Sequence, residues 1–72
     1  MESIAKEILE IANTPGEKSI ALRSTCITRY GIKTFEQEIK KLTNEELIKG
    51  KHFDMEITEK GYHTLMNLRH LR

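Results

Sequence analysis

Apolar residues recur along most of this chain with the spacing of helices, and along one short stretch with the spacing of a strand. Starting just after Gly31, the residues Ile32, Phe35, Ile39 and Leu42 follow an i, i+3, i+7, i+10 pattern. At roughly 100° per residue they fall on one face of a helix spanning about 32–45. That face predicts core. The opposite line carries Lys33, Gln37, Lys40, Lys41 and Asn44, with Glu36, Glu38 and Glu45 on the flanks. An outward ridge of cations and amides without an acid is one that a nucleic-acid groove would tolerate, although every amphipathic helix has a polar outer face.

The same patterning predicts the other elements. Ile4, Ala5, Ile8, Leu9, Ile11 and Ala12 make a helical stripe over about 3–12, with Lys6, Glu7 and Glu10 outside, and Asn13-Thr14-Pro15-Gly16 breaks it. Residues 17–20 leave room for a short edge strand. A second helix is predicted over about 19–30 with Ser19 as its N-cap, Ile20, Cys26, Ile27 and Tyr30 inward, and Arg23 and Arg29 outward. In the third helix the apolar register starts at Ile32, whereas a Thr34–Gln37 capping box would start it later. Asn44 is the residue expected to take the left-handed conformation at its end. Leu47-Ile48-Lys49 then reads as a strand, Gly50-Lys51 as a tight turn and 52–57 as the returning strand, because Phe53, Met55 and Ile57 alternate with Asp54 and Glu56.

Thr58 is the predicted N-cap of a last helix over about 59–71, in which Gly61 lowers helix propensity by about 1 kcal/mol relative to alanine. Tyr62, Leu65 and Met66 form its apolar face, and Leu68 and Leu71 widen that face past half the circumference. A second copy of the chain could cover the surplus, with Leu65, Leu68 and Leu71 as the dimer interface. Fraying terminal leucines are the equal alternative.

Composition narrows the picture. The 72 residues predict one domain, 1–72, that buries only about 60% of its unfolded surface. Apolar runs of two or three residues exclude a membrane span, and the opening Met1-Glu2-Ser3 has no signal-peptide pattern, so a cytoplasmic chain is expected. Cys26, the single cysteine, has no internal disulfide partner and reads as a small core residue. Net charge is only +1, but its distribution is uneven. Residues 1–17 hold one base and four acids, 18–33 four bases and no acid, 34–59 four bases and seven acids, and 60–72 three bases and no acid. An acid-free block therefore leads into the third helix.

Helix, break, helix, helix, hairpin, helix is also the order of a known class. Ile39-Lys-Lys-Leu42, the Leu47-Ile48 pair five residues on, a short hairpin and Ile57-Thr-Glu-Lys-Gly61 opening the final helix resemble the winged helix-turn-helix families. The resemblance covers nearly the whole chain and is closest to small archaeal and phage-type winged-helix proteins, including archaeal chromatin proteins that dimerise through a C-terminal helix. It implies a mostly helical α+β fold: a three-helix core, a two-stranded wing over about 47–57 and a C-terminal helix. Two features depart from the pattern. Glu46 stands where many relatives have glycine before the Leu-Ile pair, and the approach to the recognition helix is about two residues shorter than in the commonest bacterial regulators. The long coiled coil of some archaeal relatives has no counterpart.

What the resemblance implies is double-stranded DNA binding by a small transcriptional regulator or architectural protein, nucleoid-associated in that case. The third helix would enter the major groove and the wing would touch the backbone. Carried onto this chain, Gln37 would pair with an adenine edge, Lys40 and Asn44 would follow one and two turns on, and Lys33 and Lys41 would reach phosphate or guanine. Lys49 and Lys51, with Gly50 and His52, would contact phosphate from the wing, and Arg23 and Arg29 would clamp the backbone. Solvated side chains without any partner are the alternative reading for each. The rival function is a winged-helix protein-interaction module whose acidic Glu36, Glu38, Glu45 and Glu46 meet a basic partner. Enzyme chemistry is not expected: the sequence has no glycine-rich phosphate loop, no cysteine pair and no nucleophile spaced with a base. His63 and His70 are roughly 10.5 Å apart along a helix, too far to share a metal. All three histidines read as surface residues, and no metal or cofactor is implied.

Overall fold

The computed structural model describes residues 3–50 and 55–70. Four helices and a two-stranded antiparallel sheet appear there: α1 (Ile4–Ala12), α2 (Glu17–Tyr30), α3 (Ile32–Asn44), β1 (Ile48–Lys49), β2 (Glu56–Ile57) and α4 (Glu59–His70). Ile48 pairs with Ile57 and Lys49 with Glu56. This is an α+β arrangement in which helices dominate.

Local chemistry accounts for the boundaries. Ser3 caps α1, its Oγ accepting from the Lys6 amide at 3.2 Å. Gly16, at φ 72°, turns the chain after Pro15 and lets α2 begin at Glu17 with no side-chain cap. Ser19 is therefore not the N-cap. It sits in the first turn, where its Oγ donates to the Gly16 carbonyl at 2.7 Å, and residues 17–20 are helical, so no edge strand forms there. Gly31, at φ 90°, both closes α2 and opens α3, donating to the Ile27 carbonyl at 2.7 Å and accepting from the Phe35 amide at 3.0 Å. Since Ile32 is already helical, the Thr34–Gln37 box is not the helix start.

The end of α3 differs from expectation. Leu47 donates to the Leu42 carbonyl and Glu46 to the Thr43 carbonyl, each at 3.0 Å, the paired bonds of a Schellman closure. Its left-handed position is held by Glu46, at φ 62°, and not by Asn44, which remains helical.

One core joins the elements. Ile8, Leu9 and Ile11 of α1 meet Cys26, Phe35, Leu42, Leu47, Ile48 and Leu65. Ile39, Met55, Ile57, Met66 and Leu68 pack half-buried around them. Three residues expected inside lie outside: Tyr62, on the apolar face predicted for α4, is 44% exposed, and Ile20 and Ile32 are the others. Ile20 is 61% exposed because Cys26 and Tyr30 set the inward line of α2 and Ile20 lies well round from both. Ile32 is 49% exposed because Phe35 and Leu42 fix the inward line of α3 and the first-turn isoleucine overhangs its edge. Leu65 is fully buried in the chain's own core. Its side chain therefore leaves no surface for a second copy to touch; Leu68 is half-buried against the same core, and Leu71 lies outside the described residues.

A dense seam ties α3 to α4 through the residue between helix and sheet. The Thr58 amide donates to the Leu47 carbonyl at 3.1 Å. Its Oγ1 lies 2.7 Å from the Glu46 carbonyl and accepts from the Gly61 amide at 2.9 Å, capping α4 as the sequence predicts. Gly61 is buried, and a Cβ placed there would lie 1.9 Å from the Leu47 carbonyl oxygen. The glycine is there because backbone meets backbone.

Candidate nucleic-acid interface

Lys33, Gln37, Lys40, Lys41 and Asn44 are all exposed on the side of α3 opposite Phe35 and Leu42. Glu36 is exposed on one flank and Glu38 half-buried on the other, with Glu45 and Glu46 at the helix end. Among the described residues, none of the five ridge side chains has a hydrogen-bond or ion-pair partner within the chain. The ridge does no structural work there.

The arginines are placed differently. Arg29 reaches across to α1, where its Nη1 lies 3.0 Å from Glu7 Oε1, while the Tyr30 hydroxyl donates to Glu7 Oε2 at 2.5 Å. That hydrogen bond is the main reason the Tyr30 phenol is held above its ordinary pKa. Arg69 of α4 forms a forked pair with Glu10, its Nε donating at 3.1 Å, and the bond raises the guanidinium further. Arg23 is half-buried with its Nε inside, on the wall of a cleft of about 350 Å³ between the α1–α2 turn and Met55 and Glu56. The acid-rich first block of sequence thus meets cations of the two acid-free blocks inside the molecule. The sequence places Glu7 and Glu10 only on the outer face of α1; the structure half-buries them in ion pairs, for which the complementary charge of those blocks is the available signal.

On the sheet, Lys49 points outward beside buried Ile48 and stands directly across from exposed Glu56. Gly50 follows at φ 90°. Lys51, His52 and Phe53 lie outside the described residues. His63 and His70 are exposed on α4, and the His63 ring stands edge-on to Tyr62 with centroids 6.3 Å apart. Among the described residues, no group of three or more His, Cys, Asp or Glu side chains is placed to hold a metal. Cys26 is fully buried, and its thiol is pushed up to about 11 by burial first and then by Glu7, with Arg29 opposing. It stays protonated at neutral pH and is a core residue rather than a nucleophile.

The ridge is thus the largest continuous set of the expected site residues that the fold brings together. No family model, curated protein or solved structure matches the chain. No helix among the described residues is long and apolar enough to cross a membrane.

Proposed function

We propose that this chain binds double-stranded DNA as a winged helix-turn-helix module, with α3 in the major groove, the hairpin formed by β1 and β2 as the wing, and a role as a small transcriptional regulator or architectural protein. One observation carries the reading: the outer ridge of α3 is acid-free and, among the described residues, without internal partners, whereas Arg29 and Arg69 are bound to carboxylates of α1. Cations that stabilise nothing at home are available to phosphate. Lys49 and, by its sequence position, Lys51 would add backbone contacts from the hairpin. A net charge of +1 keeps the non-specific component small.

Fluorescence anisotropy of a mixed-sequence duplex at several salt concentrations tests this. With about four phosphate contacts, log affinity should fall against log salt with a slope of about −3 or steeper. The Lys40→Glu/Lys41→Glu variant should lose at least about ten-fold in affinity while its melting temperature is unchanged. Absence of binding at low salt would remove the proposal. A protein partner would then be the reading to pursue, favoured by the exposure of Ile20 and Leu22 on α2.

A further inference from the structure

The ridge of α3 has an internal order, and it bears on what kind of duplex the chain would select. Resting on the DNA-binding reading above, we infer that Gln37 and Asn44 select sequence while Lys40 and Lys41 supply affinity, so that the preferred duplex carries two A·T pairs about three base-pair steps apart.

The argument starts from helix geometry. Gln37, Lys40, Lys41 and Asn44 stand at i, i+3, i+4 and i+7, the spacing at which a recognition helix lying along a major groove presents side chains to base edges. Seven residues bring the helix round almost to where it began, so Gln37 and Asn44 are only about 20° apart in azimuth. Lys40 lies about 40–60° to one side of that pair and Lys41 about 40–60° to the other. All four are exposed, and α3 is continuous from Ile32 to Asn44. The two amides thus occupy the centre line of the ridge, and the two ammonium groups straddle it. In a groove the centre line faces the base edges and the sides face the two phosphate walls.

The chemistry of the side chains agrees with these positions. A carboxamide offers a donor and an acceptor side by side, the complement of the N6 and N7 edge of adenine, and discriminates strongly between bases. An ammonium on a long, flexible stem acts as a point charge on a phosphate, independent of sequence. Along the helix, Gln37 and Asn44 are separated by roughly 10.5 Å, about three steps of a duplex. Lys33 lies on the same line one turn before Gln37, placed to extend the contact towards a guanine or a phosphate.

Selection from a random duplex library with the full chain, followed by repetition with Gln37→Ala and Asn44→Ala, tests the assignment. Both positions are exposed, and thermal melting of each variant checks that it folds. The expected result is enrichment of two A·T pairs about three steps apart, with each alanine variant losing the preference at one of them and about ten-fold in affinity for the selected site. The salt slope should stay the same in both variants. Lys40→Ala should instead weaken all duplexes alike and reduce the slope by about 0.9. Salt-steep binding with no base preference, or a preference that survives both alanine variants, would overturn the amide assignment and leave the DNA-binding proposal standing. Absence of binding to any duplex would end both.

Discussion

Around the C-terminal end of α3 nearly every group is committed, whereas along its outer face none is. Leu47 returns its amide to Leu42 at 3.0 Å, its carbonyl takes the Thr58 amide, and Gly61 packs against that same carbonyl. A few ångströms of helix away, Gln37, Lys40, Lys41 and Asn44 stand in solvent without a partner among the described residues. The difference teaches where a substitution will register. Changes in the seam should alter stability and leave the surface chemistry intact. Changes on the ridge should alter affinity and leave the stability within about 0.5 kcal/mol of the parent.

The sharpest break of the comparison is Gly61→Ala. By helix propensity alone it should stabilise α4 by about 1 kcal/mol. The added Cβ would, however, meet the Leu47 carbonyl oxygen at 1.9 Å, its carbon at 2.8 Å and Ile57 Cγ1 at 3.0 Å. Two of those three atoms are backbone, so separating them means parting α4 from the loop. We expect a net loss of about 3 kcal/mol or more, seen in thermal melting as a fall of at least about 12 °C for a chain of this size. A rise in melting temperature would show that propensity, not close approach, governs the position.

Thr58→Val is the next largest. The replacement keeps the shape and removes the hydroxyl, which lies 2.7 Å from the Glu46 carbonyl and accepts from the Gly61 amide at 2.9 Å. A capping bond is lost and a carbonyl and an amide are left without it, a cost of about 2 kcal/mol. Urea unfolding of the variant should show a lower midpoint with an unchanged slope. Equal stability would mean that the Thr58 backbone bond to Leu47 alone holds the seam.

The sequence made some of this legible and hid the rest for physical reasons. The breaks at Pro15-Gly16 and Gly31, the cap at Thr58 and the buried line of Phe35 and Leu42 are local signals, and local signals survive into the structure. Ile20 and Ile32 were misassigned because periodicity gives the apolar arc of a helix but not which part of that arc the neighbours cover. Leu65 belongs to the apolar face read for α4 and also to the interface read for a second copy, and it is fully buried in the chain's own core. Gly61 looked like a weakness in α4 because its reason lies across the fold, at Leu47. The acid-free blocks are plain in the sequence, but that part of their cation content is matched within the molecule by Glu7 and Glu10 depends on how α1 packs. The exposed α3 ridge was readable because it depends only on helix period and on the core face being known.

The smallest effect has the opposite sign. Glu46 adopts φ 62°, a conformation that costs a residue with a Cβ about 1–2 kcal/mol and glycine almost nothing. It tolerates this because the closure needs its amide at Thr43 and its carbonyl at Thr58 Oγ1. Both are backbone groups and remain in Glu46→Gly. The variant also removes an acid beside the negative end of the α3 dipole, worth a further few tenths of a kcal/mol. Glycine's greater freedom in the unfolded chain takes some of this back, so we expect a net gain of about 1 kcal/mol, a rise of roughly 4–8 °C in melting temperature. Glu46→Gln separates the two contributions, since it removes the charge and keeps the strained backbone. If strain dominates, glutamine yields only the smaller electrostatic part. An equal gain from both variants would assign the whole effect to charge and leave the left-handed turn without measurable cost.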